Sequence, residues 1–265
     1  MKKFWFILTA LVATCFLVAC SGSQGVSPKT IKEKKKIVVA TESEFAPFEF
    51  KSLVNGKDTL VGADIELAKA IGERLGVKVE FSVMSFDNVL ASVQSGKSDI
   101  AIAGISVTDE RKKVYDFSDS YYTSENVVIV KKDKVNDFTS ADSLAKQTVG
   151  TQKGSVQETV AKKQISKASV VSLASNGEMI NELKSGQIQA VVLEKAIAEG
   201  YIAQNDDLTL ANFNLKSDGS DAYAVATRKG SDDLLKEINT VIKETKDSGQ
   251  FDQWLKEASS YKQSK

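Results

Sequence analysis

The stretch Val93-Gln-Ser-Gly-Lys-Ser-Asp-Ile-Ala-Ile-Ala103 runs from an amphipathic segment through a glycine into an apolar strand. The stretch Leu183-Lys-Ser-Gly-Gln-Ile-Gln-Ala-Val-Val-Leu193 has the same order of helix, glycine turn and strand. A unit that recurs at a long interval indicates two lobes of similar build. Because helix-glycine-strand units are common, coincidence is the competing interpretation, and the flanking sequence has to decide.

The segments around the first stretch alternate between apolar strands and amphipathic helices. Residues 37–40 and 77–83 have strand patterns, and residues 62–75 repeat apolar side chains at helical spacing. Asp87 is predicted to cap the next helix, and Gly96 to close it. This alternation predicts an α/β fold with two open, mostly parallel sheets and flanking helices.

Two further apolar runs bracket the second stretch. Residues 127–131 and 222–227 are predicted to be hinge strands that link the lobes. The first lobe would then comprise residues 37–126 and 228–265, and the second residues 132–221.

The strand ends predict where a ligand would lie. Ligands of open α/β sheets bind beyond the carboxyl ends of the strands. Gly104 and Glu194 follow the two repeated strands in the sequence. The repeat therefore predicts one cleft that both lobes share.

The composition excludes several classes of chemistry. The chain has no histidine and two cysteines among 265 residues, and its 35 basic residues balance its 35 acidic ones. Without histidine, Ser-His-Asp and Cys-His systems and histidine-based zinc sites are excluded. The segment from Gly150 to Ser155 lacks the Gly-Lys-Ser/Thr ending of a phosphate loop. We therefore expect no enzymatic activity, no cofactor or metal, and no nucleic-acid partner.

The N-terminus has the layout of a signal peptide. Lys2 and Lys3 precede an apolar segment that is shorter than the roughly 20 residues of a membrane-spanning helix. The following Leu-Val-Ala-Cys20 resembles a bacterial lipobox, which implies removal of residues 1–19 and lipidation of Cys20. The alternative is an incidental cysteine beside an ordinary cleavage site. Residues 20–36 are predicted to be a flexible tether to the extracellular face of the membrane of a Gram-positive bacterium.

Four motifs occur in order along the chain: Ala40-Thr-Glu-Ser-Glu-Phe-Ala-Pro-Phe-Glu-Phe50, Val61-Gly-Ala-Asp-Ile-Glu-Leu-Ala-Lys69, Ala103-Gly-Ile-Ser-Val-Thr-Asp-Glu-Arg-Lys-Lys113 leading to Asp116-Phe-Ser-Asp-Ser-Tyr-Tyr122, and Gly230 with residues 234–254. In these motifs the chain resembles the polar amino acid receptors of ABC importers, which include glutamine-, histidine- and lysine/arginine/ornithine-binding proteins. The resemblance implies a two-lobed, periplasmic-binding-protein-like fold joined by a two-strand hinge. It also implies a monomer that closes on an amino acid and docks on a separate permease with its ATPase.

Arg111 is the predicted partner of the ligand's α-carboxylate. Its guanidinium is a planar fork of donors suited to bidentate contact with a carboxylate, and Thr108 is predicted to cap its helix. The resemblance gives this role to Arg111, with help from the amide and hydroxyl of Ser106. A surface ion pair between Arg111 and Asp109 or Asp116 is the competing interpretation.

Glu194 and Gly104 are predicted to receive the ligand's ammonium group. Related receptors usually have aspartate at the position of Glu194, so this chain departs from the pattern there. There are two alternatives: Lys195 could neutralise Glu194, or Glu194 could simply be an acid that stabilises a helix N-terminus. Gly104 would offer its carbonyl oxygen to the same ammonium.

The remaining predicted contacts form the walls of the pocket. The resemblance implies that Phe45 stacks on the ligand side chain and that Phe86 forms another wall, although both could belong to the core. A loop of the second lobe is implied to meet the carboxylate through helix N-terminal amides; it comprises Gln152, Gly154, Ser155 and Val156.

Glu42 and Glu44 are predicted to select the ligand. Two acids beside Phe45 favour a cationic ligand such as arginine, lysine or histidine, while the acid that glutamine receptors carry at the position of Glu42 leaves glutamine as the alternative.

Functions of another class on this scaffold are a dehydratase-like enzyme, for which Glu194 is the available cleft carboxylate, and an adhesin.

Overall fold

The computed structural model describes residues 25–263 except 218 and 220. The predicted signal peptide and Cys20 lie outside these residues. The strands are β1 Lys36–Thr41, β2 Glu44–Phe45, β3 Glu49–Val54, β4 Lys57–Val61, β5 Lys78–Val83, β6 Ile100–Ala101, β7 Tyr115–Phe117, β8 Tyr122–Thr123, β9 Asn126–Lys131, β10 Thr148–Gln152, β11 Ser169–Leu173, β12 Ala190–Glu194, β13 Leu208–Leu210, β14 Ala222–Tyr223 and β15 Ala226–Arg228.

The α-helices are α1 Pro28–Lys34, α2 Ala63–Leu75, α3 Phe86–Gln94, α4 Asp109–Lys112, α5 Val156–Gln164, α6 Asn176–Ser185, α7 Lys195–Ala203, α8 Asp232–Asp247 and α9 Gln250–Ala258, with short 3-10 helices at Lys132–Lys134 and Ala141–Leu144. Helix α3 begins one residue before Asp87, because Ser85 occupies the N-cap position; Gly96 follows the end of that helix with φ +77°. Within the described residues no helix combines the length and the apolar character that crossing a membrane requires.

Two five-stranded sheets of the same design form the two lobes. Their strand orders are β5-β1-β6-β15-β7 and β11-β10-β12-β9-β13. In each sheet the first three strands are parallel and the other two pair antiparallel. The α/β fold with two sheets is thus confirmed, and the repeated stretches are α3-β6 and α6-β12. The sheets are less parallel than predicted, because β9 enters the second sheet from the first lobe and β15 enters the first sheet from the second lobe, and both pair antiparallel.

The connection between the lobes differs from the predicted hinge. Residues 127–131 lie within β9, which pairs with both β12 and β13 and belongs entirely to the second sheet. Its residues are buried up to Val130, as an apolar run in the interior of a sheet requires. The crossing is made by the antiparallel pair β8 and β14, in which Tyr122 lies opposite Tyr223. Strand β14 lies within the predicted second hinge segment, 222–227, while the end of that segment belongs to β15 of the first sheet.

The predicted tether is partly a helix that packs on the first lobe. Ser27 and Thr30 form a capping box at the start of α1, and Pro28 occupies its first turn, a combination that favours a helix start. Ile31 is fully buried, and the Val26 amide donates to Ser231 Oγ at 2.8 Å. The expectation of a flexible tether up to residue 36 is therefore wrong from Gly25 onward.

A third, three-stranded sheet, β2-β3-β4, was not predicted. Asn55 and Gly56 join β3 to β4 with φ angles of +50° and +75°, which is the conformation that Asn-Gly adopts in a tight hairpin turn. This sheet lies beside the end of β1 and carries Glu44, Phe45 and Glu49. It therefore supplies acidic and aromatic side chains to the region between the lobes.

Candidate ligand-binding site

The carboxyl ends of β1 and β10 bring the two lobes into contact. Glu42 directly follows β1, and Gln152 is the last residue of β10. Gln152 Nε2 donates to Glu42 Oε2 at 2.8 Å, and both residues are 4 % exposed. Glu42 Oε1 has no hydrogen-bond partner within the described chain. A buried carboxylate that is only half satisfied favours a further donor at this position.

Arg111 projects from the short helix α4 toward the same region. Thr108 caps this helix, as predicted, by accepting from the Arg111 amide at 3.1 Å. One guanidinium nitrogen donates to the Ser106 carbonyl at 2.7 Å and the other to the Gly154 carbonyl at 3.1 Å. The guanidinium carbon lies 5.9 Å from the centre of the Phe86 ring, within cation-π range.

The competing interpretation of Arg111 as a surface ion pair does not fit the geometry. Asp109 pairs with Lys112 at 3.6 Å, and Asp116 pairs with Lys229 at 2.7 Å. Burial lowers the pKa of Arg111 to about 10. Arg111 therefore keeps its positive charge at neutral pH.

Glu194 ends β12 and is 6 % exposed. Burial raises its pKa to about 7, although the Arg111 charge acts in the opposite direction. Lys195 pairs with Glu125 at 3.8 Å and not with Glu194. Asn126 lies opposite Glu194 in the sheet and accepts from Gln157 Nε2 at 2.8 Å. Glu194 is thus a buried carboxyl group that lies close enough to Arg111 for the two charges to interact.

Burial also raises the pKa of Glu42, to about 8, and the neighbouring charges of Glu44 and Glu194 add to this shift. Glu49 is fully buried, and burial together with Asp64 raises its pKa well above the usual range. Burial raises the pKa of Asp64 to about 6. These carboxyl groups form an acidic cluster, in which Asp64 and Glu42 both raise the pKa of Glu49.

Asp64, a member of this cluster, accepts two hydrogen bonds. Its Oδ2 accepts from the Gly104 amide at 3.1 Å and from the Tyr121 hydroxyl at 2.8 Å. Gly104 has φ +54°, and a Cβ there would lie 2.5 Å from Phe45 Cε1. Phe45 is 3 % exposed and packs 5.8 Å from the Phe48 ring. The structure therefore places Phe45 in the aromatic layer under Gly104, while stacking of Phe45 on a ligand stays a prediction.

The loop of the second lobe precedes α5. Ser155 is its N-cap, accepting from the Glu158 amide at 3.4 Å and donating to the Gln152 carbonyl at 2.7 Å. Val156 is the first residue of the helix. The Gly154 amide donates to Glu158 Oε2 at 3.2 Å, so a ligand carboxylate would have to compete for it.

The structure brings the predicted residues of both lobes together and adds others. Glu49, Asp64 and Tyr121 were not predicted. The sequence carries a signal that two of these side chains are buried, because Glu49 lies between two phenylalanines and Asp64 lies at the start of an apolar helix. Within the described chain no group of histidine, cysteine, aspartate and glutamate side chains is arranged to hold a metal ion.

The family model of the bacterial extracellular solute-binding proteins, family 3, matches residues 37–258. The chain belongs to this family. It is 34 % identical over 261 residues to the arginine-binding extracellular protein ArtP of Bacillus subtilis, covering 97 % of each chain. It is 31 % identical to the glutamine-binding protein GlnH of the same organism, covering 97 % of this chain and 98 % of the relative.

A solved structure of an amino acid-binding protein agrees with this membership. It is the amino acid ABC transporter substrate-binding protein AbpA from Streptococcus pneumoniae Canada MDR_19A bound to L-arginine, with a TM-score of 0.85 and 50 % identity over 87 % of this chain and 97 % of that chain. The resemblance inferred from the four motifs is therefore confirmed.

Proposed function

We propose that this family 3 protein captures free L-arginine between its lobes and delivers it to an ABC importer. The observation that carries the proposal is the arrangement of acidic and basic side chains in the cleft. Glu42 and Glu194 are buried there, and Arg111 is the cation that acts on Glu194. Arginine carries two positive groups and one carboxylate, which matches two acids and one guanidinium.

The pairing follows from the positions of these groups. Arg111 would exchange its carbonyl contacts to Ser106 and Gly154 for a bidentate contact with the ligand carboxylate. Glu194 would receive the α-ammonium, and Glu42 the ligand guanidinium. Glutamine lacks a second positive group, so Glu42 would stay protonated beside it and would form no ion pair. Glutamine is the second candidate, since Glu42 with a pKa of about 8 could donate a hydrogen bond to the oxygen of a neutral amide.

Capture would proceed by lobe closure. We place the flexing segment at β8 and β14, which join the lobes through a two-stranded pair. Residues up to β8 and from β15 onward would move as one body, and β9 to β13 as the other. Because the cleft contacts between the lobes form only on closure, a ligand that bridges them shifts the population toward the closed form.

The cellular setting is part of the proposal. Residues 1–19 would be removed as a signal peptide, and Cys20 would carry the lipid that holds a monomer on the outer face of the membrane. A permease with its ATPase would receive the arginine. Support for binding without catalysis comes from the family, whose matched relatives are binding proteins.

The test uses the chain without its lipid, residues 21–265, unfolded and refolded to remove bound ligand. Its melting temperature is recorded against arginine, lysine, histidine and glutamine. A ligand at a hundredfold excess over its Kd stabilises a protein by about 2.7 kcal/mol. A shift with arginine above the others supports the proposal. A shift with glutamine alone selects the second candidate, and no shift with any of them rejects capture of these four amino acids.

A further inference from the structure

Glu44 lies close to Glu42 in the sequence but makes its contacts elsewhere. It belongs to β2 in the first lobe, and its side chain reaches the start of α6 in the second lobe. Glu44 Oε2 accepts from the Gly177 amide at 3.0 Å. A Cβ at Gly177 would approach the same oxygen at 3.0 Å, so the glycine allows the carboxylate to come this near.

The first turn of α6 is suited to this acceptor. Ser175 caps the helix and accepts from the Glu178 amide at 3.2 Å. This leaves the Gly177 amide among the helix N-terminal donors without an intrahelical partner. A carboxylate at that position is also favoured by the helix dipole. Glu44 therefore completes the cap of a helix in the opposite lobe.

The backbone of Glu44 makes contacts to the same lobe. Its carbonyl accepts from the Tyr201 hydroxyl of α7 at 3.2 Å and from Asn176 Nδ2 at 3.5 Å. One carboxylate oxygen and the carbonyl oxygen of Glu44 thus contact the opposite lobe. This differs from the prediction that Glu44 acts together with Glu42 in ligand selection.

We propose that Glu44 is an affinity-determining positioning residue, which holds the closed form by capping α6 and does not contact the ligand. The inference rests on the proposed function, since affinity is read through amino acid capture. Because the contact requires both lobes to be closed, its loss lowers the closed population and weakens every ligand by the same factor.

The experiment compares Glu44→Ala and Glu44→Gln with Glu178→Ala as the matched control. Glu178 is exposed and also carries a negative charge in the first turn of α6. In Glu44→Ala, the Kd of arginine and of lysine should rise by the same factor, about tenfold for loss of one charge-assisted hydrogen bond. The dissociation rate should carry most of that change, with a smaller effect in Glu44→Gln. Glu178→Ala should leave both affinities within about twofold.

A second measurement separates this inference from the proposed function. Spin labels at the exposed Lys97 of the first lobe and Lys163 of the second lobe, in a chain without Cys20, report the distance between the lobes without added amino acid. Glu44→Ala should lower the short-distance population in this experiment whichever ligand the protein binds. Equal distances and an unchanged Kd would overturn the inference. A Kd change that differs between arginine and lysine would also overturn it, because Glu44 would then contact the ligand side chain.

Discussion

The two lobes have sheets of the same design but contribute different chemistry to the cleft. The first lobe supplies Arg111 and Glu42, together with Asp64, which accepts hydrogen bonds from the Gly104 amide and the Tyr121 hydroxyl. The second lobe supplies mostly neutral donors and helix starts, at Gln152 and Ser155, with Glu194 as its buried acid. The difference suggests that the first lobe holds the ligand and the second lobe closes over it. The predictions below test this division.

The largest effect is expected from the first lobe. Arg111→Ala removes the bidentate partner of the ligand carboxylate. Two charge-assisted hydrogen bonds correspond to a loss of about 4 kcal/mol, or about a thousandfold in the Kd of arginine by calorimetric titration. Arg74→Ala is the control, since Arg74 forms an exposed ion pair with Glu237 at 2.8 Å. A loss below tenfold in Arg111→Ala would remove Arg111 from the ligand site.

Glu42→Gln is expected to have the next largest effect. It keeps the shape of the side chain and an oxygen acceptor for Gln152 but loses the charge that pairs with the ligand guanidinium. The Kd of arginine should rise roughly 10- to 100-fold, and the Kd of glutamine should change much less. Glu80→Gln, at an exposed acid paired with Lys36, should leave both affinities unchanged. Equal losses for arginine and glutamine would contradict the assignment of Glu42.

A smaller effect is expected from the closing lobe. Gln152→Ala removes a neutral donor to Glu42, and water can replace it in the open form. We expect the Kd of arginine to rise about three- to tenfold, mainly through faster dissociation in stopped-flow measurements. Gln164→Ala is the control, because Gln164 contacts the Lys216 carbonyl away from the cleft. A loss as large as that of Arg111→Ala would contradict the proposed division between the lobes.

The smallest expected effect is on stability as a function of pH. The pKa of Glu42 is raised to about 8 and that of Glu194 to about 7, while both titrate near 4.5 in the unfolded chain. Between these values the folded state binds more protons, so the free energy of unfolding decreases as pH rises. Asp87, Asp116 and Glu158 have lowered pKa values, so their stabilisation is already complete by pH 5.

The melting temperature of the ligand-free protein should therefore fall between pH 5 and pH 8. Saturating arginine should reduce this fall, because the bound form requires both carboxylates to be charged. The double variant Glu42→Gln, Glu194→Gln should also flatten the curve. A melting temperature that rises over this range would show that the cleft carboxyl groups are not protonated in the folded protein.

Part of this structure could be predicted from local sequence. The repeated helix-glycine-strand unit identified the two sheets, and the Thr108 cap and Gly96 turn were confirmed because they depend on neighbouring residues. The hinge was not predictable in the same way. Residues 127–131 have a strand pattern wherever they lie, and only pairing with β12 and β13 assigns them to the second sheet.

Contacts between distant segments explain the rest. The burial of Glu49 and Asp64, and the reach of Glu44 to Gly177, depend on segments far apart in the chain. Two of the remaining elements have local signals in the sequence. Ser27-Pro28 predicts the start of α1, and Asn55-Gly56 predicts the hairpin of β3 and β4.

The most direct test of the central claim compares arginine with citrulline in calorimetric titrations of the same refolded protein. Citrulline has nearly the same shape as arginine but a neutral side-chain end, so the comparison isolates the charge that Glu42 is proposed to pair. We predict that arginine binds at least about a hundredfold more tightly, a difference of about 2.7 kcal/mol. Equal affinities, or tighter binding of citrulline or glutamine, would contradict the account of a cleft whose acids select a cationic amino acid.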